Sequence, residues 1–139
     1  MKLKLTSLIL VLSVIAGCTT AKSGAGSHGA SAPDPETVMV AYHVKGGSEA
    51  EFEKLLAQAW DTYTREKLVN REPHVVVRSE EAGGKPRFIE IFTWVSHKVP
   101  DHAPDSVKAI WDKMLALCEK RNGHPALEGG EVNLVAPAK

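Results

Sequence analysis

An α+β fold of β-α-β-β-α-β order, with two helices on one face of a four-stranded antiparallel sheet, is the architecture this 139-residue sequence predicts. Three observations predict it. Between residues 37 and 137, apolar side chains recur at helical spacing in two segments. Four short runs rich in β-branched or aromatic residues surround them. Gly, Pro and Asn punctuate the junctions.

The first strand is residues 37–44, TVMVAYHV, bounded by Pro35 and by Gly46-Gly47. Ser48 and Glu51 have the spacing of a capping box. Phe52, Leu55, Leu56, Ala59, Trp60 and Tyr63 then place an amphipathic helix over residues 49–67. Glu72-Pro73 breaks the chain, and residues 74–78, HVVVR, form a second strand. Gly83-Gly84 supply a turn into residues 88–95, FIEIFTWV, so the second and third strands make an antiparallel hairpin. Pro104 suits the start of a helix over 104–120, whose apolar face is Val107, Ile110, Trp111, Met114, Leu117 and Cys118. Asn122-Gly123 end it, and residues 131–135, EVNLV, are the last strand. The order is the split β-α-β pattern of a ferredoxin-like fold.

Ahead of this domain lie Lys2, Lys4 and an apolar run over residues 8–16 that closes on Ile15-Ala16-Gly17-Cys18. The run is far short of the roughly 20 residues that span a bilayer. A charged start, a short apolar middle and small residues at the end mark a secretory signal. With Cys18 at its close, the segment resembles the lipobox of bacterial lipoproteins. That resemblance implies cleavage before Cys18, diacylglycerol on its sulfur, and a membrane anchor outside the cytoplasm; several acyl chains hold stably where one is marginal. Thr19, rather than Asp, implies the outer membrane where the envelope has one. Residues 19–36 are Gly, Ser, Ala and Pro without apolar periodicity, a flexible tether spanning about 20–25 Å.

Removing residues 1–17 takes away two lysines and no acids, leaving a formal charge of about −2. Such a surface excludes nucleic acid, which needs concentrated positive charge. It also offers no polybasic support for anionic lipid, so attachment rests on the acyl chains. Once Cys18 is lipidated, Cys118 has no intramolecular disulfide partner; its apolar helical setting predicts a buried, inert thiol.

Strand alternation bears on function. In the first strand Val38, Val40, Tyr42 and Val44 share the face expected to meet the helices, and Met39, Ala41 and His43 share the other. In the third strand both faces are apolar or aromatic: Ile89, Ile91, Thr93 and Val95 on one, Phe88, Glu90, Phe92 and Trp94 on the other. A half-exposed sheet alternates with polar residues, so the second face calls for a cover, and a second copy of the chain is the simplest. The strand order, the Gly46-Gly47-Ser48 junction and the run Glu90-Ile91-Phe92-Thr93-Trp94 leading into a Pro-broken loop are similar to the dimeric α/β-barrel superfamily. That group includes antibiotic-biosynthesis-monooxygenase-like and stress-responsive barrel domains. The resemblance, over about residues 37–136, implies a homodimer with a small-molecule cleft between sheet and helices. The activities it implies range from cofactor-free oxygenation to haem degradation and isomerisation.

His43, Glu90, Trp94 and Arg78 are the candidate site residues. Glu90 or His43 could act as a base toward a phenol-like substrate; alternatively Glu90 pairs with Arg78 across the hairpin and His43 is hydrogen-bonded at the dimer seam. The loop length decides the register. A two-residue turn pairs odd with even positions; a three- or five-residue loop places His74, Val76 and Arg78 on the Glu90 face, and Pro86 favours the longer loop. His97, Asp101 and His102 match no zinc spacing, so no metal is expected. An axial His and a Trp for haem could be His102 and Trp94, but the first strand lacks the accompanying Asn, so no cofactor is expected. Nor is there a nucleophile elbow, a phosphate-binding loop or a nucleotide fingerprint. The expected function is recognition of a small, partly apolar molecule by a lipid-anchored homodimer. The alternatives are a cofactor-independent monooxygenase-like enzyme for phenolic or quinol-like substrates, and a non-catalytic envelope interaction module.

Overall fold

The computed structural model describes residues 34–135. The signal segment, Cys18 and nearly all of the tether fall outside the described residues. Element order is β1 (Glu36–His43), α1 (Glu49–Arg65), β2 (Val69–Glu81), β3 (Lys85–Trp94), a 3-10 turn (Pro100–His102), α2 (Asp105–Ala116) and β4 (Leu127–Glu131). The sheet runs β2-β3-β1-β4, every neighbouring pair antiparallel. This is the ferredoxin-like α+β fold, with β1 and β3 central and β2 and β4 at the edges.

The core lies between the sheet and the helices. β1 contributes Val38 and Tyr42, and β3 contributes Phe88, Phe92 and Trp94. The register sets Val38 opposite Phe92 and Tyr42 opposite Phe88, so even-numbered residues of both strands share the helix-facing side. From α1 come Phe52, Leu56, Ala59 and Tyr63, and from α2 Val107, Ile110 and Met114, each set at three- and four-residue spacing. Each fully buried large apolar side chain contributes about 1.5–3 kcal/mol, and the ring contacts Tyr42–Phe52 and Phe52–Phe88, at 5.0 and 5.2 Å, join sheet to helix.

The hairpin closes between Glu81 and Lys85 with a three-residue loop. Gly83 and Gly84 sit at φ 83° and 70°, a backbone that side-chain-bearing residues rarely adopt, which is why the loop carries a Gly pair. Pro73 does not end β2. The strand runs from Val69 through a register shift before His74, and an edge strand tolerates the missing N–H there.

Four further expectations are corrected. Ser48 makes no side-chain cap, its φ and ψ being −101° and 5°; its N–H instead closes a turn onto the Lys45 carbonyl. Helix α2 ends at Ala116, not near 120. The chain from Leu117 peels away to run beside the end of β1: Lys45 N–H donates to the Leu117 carbonyl and Glu119 N–H to the His43 carbonyl. Asn122 and Gly123, at φ 52° and 82°, therefore form a tight turn between Arg121 and His124 rather than a helix stop. Finally, β4 pairs with β1 through Leu127–Glu131, four residues ahead of the expected start. Its Gly129-Gly130 lie opposite Val40 and Met39, so this short edge pairs largely by backbone.

Cys118 is buried and its thiol donates to the Met114 carbonyl at 3.3 Å. Burial pushes its pKa up to about 11. In the folded chain a thiolate-directed alkylating reagent near neutral pH is therefore expected to label Cys118 about a hundredfold more slowly than in urea. Equal rates, followed by mass, would mean that the segment after α2 is open.

Candidate functional site

Glu90 sits at the middle of β3, flanked by Val40 on β1 and Val76 on β2, with its side chain on the helix-facing side and 1% of its surface exposed. Burying a carboxylate is costly unless its oxygens are hydrogen-bonded. Here both are engaged. The Tyr42 hydroxyl donates to Oε2 at 3.1 Å, and His74 Nε2 lies 3.1 Å from Oε1. The ionisable partner within ion-pair range, among the described residues, is His74. The Tyr42 hydroxyl is pushed well above its ordinary pKa, by burial first and then by the negative charge of Glu90, so Tyr42 stays protonated and donates.

His74 is held from behind by Trp60 of α1, ring on ring, with centroids 3.5 Å apart and planes 7° from parallel. Glu53, Leu56, Ala57, Trp60, Asp61, His74 and Val76 line an open groove of about 310 Å³ between α1 and β2. On the other side of Glu90, Tyr42 borders a second cavity of about 100 Å³, whose remaining wall is Tyr63, Phe92, Trp94, Trp111, Met114 and Leu127. Trp94 and Trp111 meet edge to face at 6.3 Å, and Trp111 Nε1–H donates to the Tyr63 hydroxyl oxygen. Burial raises the Tyr63 pKa, which the Trp111 hydrogen bond only partly offsets. A carboxylate thus joins two residues, His74 and Tyr42, each of which lines one of two aromatic-walled spaces.

The four residues expected at the site do not all gather there. Trp94 lines the small cavity, on the same sheet face as Glu90. The β1–β3 register places His43 on the opposite face, opposite Arg87. There His43 Nδ1 faces Glu81 at 3.1 Å, and Nε2 lies 3.8 Å from Glu128 and makes no hydrogen bond. Arg78 shares the Glu90 face, as the three-residue loop dictates, but does not pair with Glu90. Its guanidinium reaches Glu53 at 3.4 Å and Glu49 at 3.9 Å on α1 and covers the Phe88 ring. The partners that Glu90 does have, Tyr42 and His74, were expected only as a core residue and a strand residue, and Trp60 as core. The signal for His74 lay in the hairpin loop length.

Around the His43 end, Arg121 is buried and donates to the Val44 carbonyl at 2.6 Å, the Pro86 carbonyl at 3.1 Å, Glu81 at 2.9 Å and Glu119 at 3.0 Å. This is a structural clamp joining β1, the hairpin and the segment after α2. Among the described residues no group of three His, Cys, Asp or Glu side chains could hold a metal ion, and no described helix is long and apolar enough to cross a membrane.

Neither a protein-family model nor a curated protein matches the sequence. Solved structures do match. A point variant of SnoaB, a cofactor-independent oxygenase from Streptomyces nogalater, superposes with a TM-score of 0.55 at 20% identity, covering 75% of this chain and 96% of that one. An antibiotic biosynthesis monooxygenase gives 0.54 at 13% identity, with 72% and 98% covered. A conserved protein from Methanosarcina mazei gives 0.53 at 14%, with 73% and 93% covered. At such identities the likeness shows the fold these chains share, and a fold hosts many chemistries.

Proposed function

We propose that this chain is a lipid-anchored envelope protein whose domain binds a small, partly apolar molecule in the groove beside Trp60 and His74. The observation that carries the binding reading is the buried Glu90 carboxylate, shared by Tyr42 and His74 and reached from the groove through His74. The groove volume of about 310 Å³ falls at the lower end of ligand-site sizes. Apolar walls from Leu56, Ala57, Trp60 and Val76 suit a ring or short chain, and His74 suits one polar group on it.

Membrane attachment through Cys18, with the outer membrane favoured where there is one, rests on the lipobox resemblance. Dimerisation rests on the sheet face turned away from the helices. Met39, Val75 and Val77 are 38%, 45% and 46% exposed there, beside the half-buried Ile89 and Ile91. An apolar patch on an open sheet face is a natural interface, and a second copy presenting the same face would cover both.

The pairing of Glu90 with His74 favours a second reading, cofactor-independent oxygenation, with a phenolic or quinol-like compound as the substrate; SnoaB is a cofactor-independent oxygenase. His74, oriented by Glu90, takes the phenolic proton. The electron-rich anion then reacts with dioxygen: one oxygen atom enters the ring as a quinone carbonyl and the other leaves as water.

Native mass spectrometry of the full chain, extracted in detergent from its own membranes, tests these readings together. The expected result is a dimer with acyl mass on Cys18 and a retained small molecule, and Val77→Glu is expected to give monomer. An unmodified Cys18 would overturn the anchor, a monomeric parent the sheet-face dimer, and an empty domain the binding reading.

A further inference from the structure

Glu90 divides two spaces that no open channel needs to join. Its Oε1 meets His74, which lines the outer groove and is 24% exposed; its Oε2 meets Tyr42, which lines the inner cavity and is buried. Imidazole, carboxyl and phenol in that order, with both separations at 3.1 Å, make an unbroken hydrogen-bonded row across the sheet face. A carboxylate needed only for packing would be replaceable by an apolar residue. One bonded through both oxygens to two groups that each accept and release protons is suited to passing them.

We propose that His74, Glu90 and Tyr42 form a proton relay from the groove to the inner cavity, and that the cavity is a second subsite for a small molecule with a basic oxygen atom. The proposal rests on the proton-abstracting reading above and extends it. The cavity volume of about 100 Å³ is that of about three water molecules in the liquid, too small for a second ring system with substituents. A hydroxyl in the groove gives its proton to His74 Nδ1, which makes no hydrogen bond among the described residues. The proton on Nε2 moves to Glu90 Oε1. The carboxyl turns and passes its proton to the Tyr42 oxygen, while the proton of Tyr42 goes to the oxygen atom in the cavity. The hydroxyl in the groove has lost one proton and the cavity occupant has gained one. Glu90 and Tyr42 are restored, and His74 is left as its other tautomer. Tyr42 suits the last position because burial and the Glu90 charge keep it from remaining ionised.

The test needs no substrate. In the unliganded full chain, the relay lets the buried Tyr42 hydroxyl proton exchange with water through Glu90 and His74. NMR exchange measurements on labelled tyrosine hydroxyls should find Tyr42 slowed about tenfold or more in His74→Phe, a change that keeps a ring against Trp60. The hydroxyl of Tyr63, which borders the same cavity but is not bonded to Glu90, should be unaffected. Glu90→Gln, close to the parent in shape, should slow Tyr42 similarly, and it alone decides the matter if His74→Phe does not fold. Unchanged Tyr42 exchange, or equal slowing of Tyr42 and Tyr63 as a change in local opening would give, overturns the relay. No oxygen uptake by the parent with quinols or phenols, together with the expected exchange pattern, would instead overturn only the oxygenation reading.

Discussion

On the oxygenation reading, Glu90→Gln is expected to fold like its parent and to lose about 10²–10⁴-fold in oxygen uptake with quinols and phenols, the usual range for removing a positioned acid or base. Glutamine fills the same space. Its carbonyl can accept from the Tyr42 hydroxyl, and its amide can donate to the neutral nitrogen of His74, so the two hydrogen bonds at 3.1 Å survive in kind. What goes is the charge that orients His74 for proton uptake. An internal check accompanies the assay. The Glu90 charge is the second cause, after burial, of the raised Tyr42 pKa, so removing it lowers the pH at which Tyr42 ionises, read from tyrosinate absorbance. Turnover equal to the parent's would make Glu90 a structural carboxylate. Glu90→Ala is the less informative variant, since it leaves a cavity and two orphaned hydrogen-bonding groups.

Arg121→Met is expected to lower stability by about 2–5 kcal/mol, since it strips the donor from two buried carbonyls at about 1–3 kcal/mol each, against a total of about 5–15 kcal/mol for a typical domain. Methionine keeps an unbranched apolar stem but leaves the Val44 and Pro86 carbonyls without their donor and Glu81 without its nearest cation. The urea midpoint is the measurement, and a shift under about 1 kcal/mol, as for a surface pair, would deny the clamp. Its pH dependence has a definite sign. Burial pushes the Glu81 pKa up, but hydrogen bonds from Arg121 and His43 outweigh it and the net shift is downward. Glu119 is lowered by Arg121 and then by Lys85. A carboxylate with a depressed folded pKa contributes stability above its unfolded pKa and loses it as pH falls through the folded value. The gap between parent and variant therefore narrows on acidification, and parallel profiles would count against this account.

Element order, helix faces and the preferred hairpin loop were legible because each depends on local pattern. Tyr42 and Val38 alternate toward the helices, and the Gly83-Gly84 pair needs a loop that supplies positive φ. The site was only partly legible. Opposite Glu90 on β2 stands Val76, with His74 and Arg78 as its two diagonal neighbours, and strand pattern does not choose between diagonals. Side chains of α1 choose: Trp60 stacks on His74, while Glu49 and Glu53 draw Arg78 away. Grouping His43 with Glu90 failed because the β1–β3 register joins residues about fifty apart with no connecting turn to set it. β4 was misplaced because Val132, Leu134 and Val135 look more strand-like than Gly129-Gly130, whereas the turn at Asn122-Gly123 and the Arg121 clamp decide where the edge begins.

The two polar assemblies also differ in how far along the chain they reach. His74 and Glu90 are 16 residues apart within one hairpin, while Arg121 and the Val44 carbonyl are 77 apart. Closing the longer loop costs about 1.4 kcal/mol more in chain entropy, and it requires β1, both helices and the hairpin to have met first. The acid–base pair thus needs only the hairpin and the α1 side chains that select His74 over Arg78, and the arginine clamp is the latch that closes once the rest of the chain has arrived.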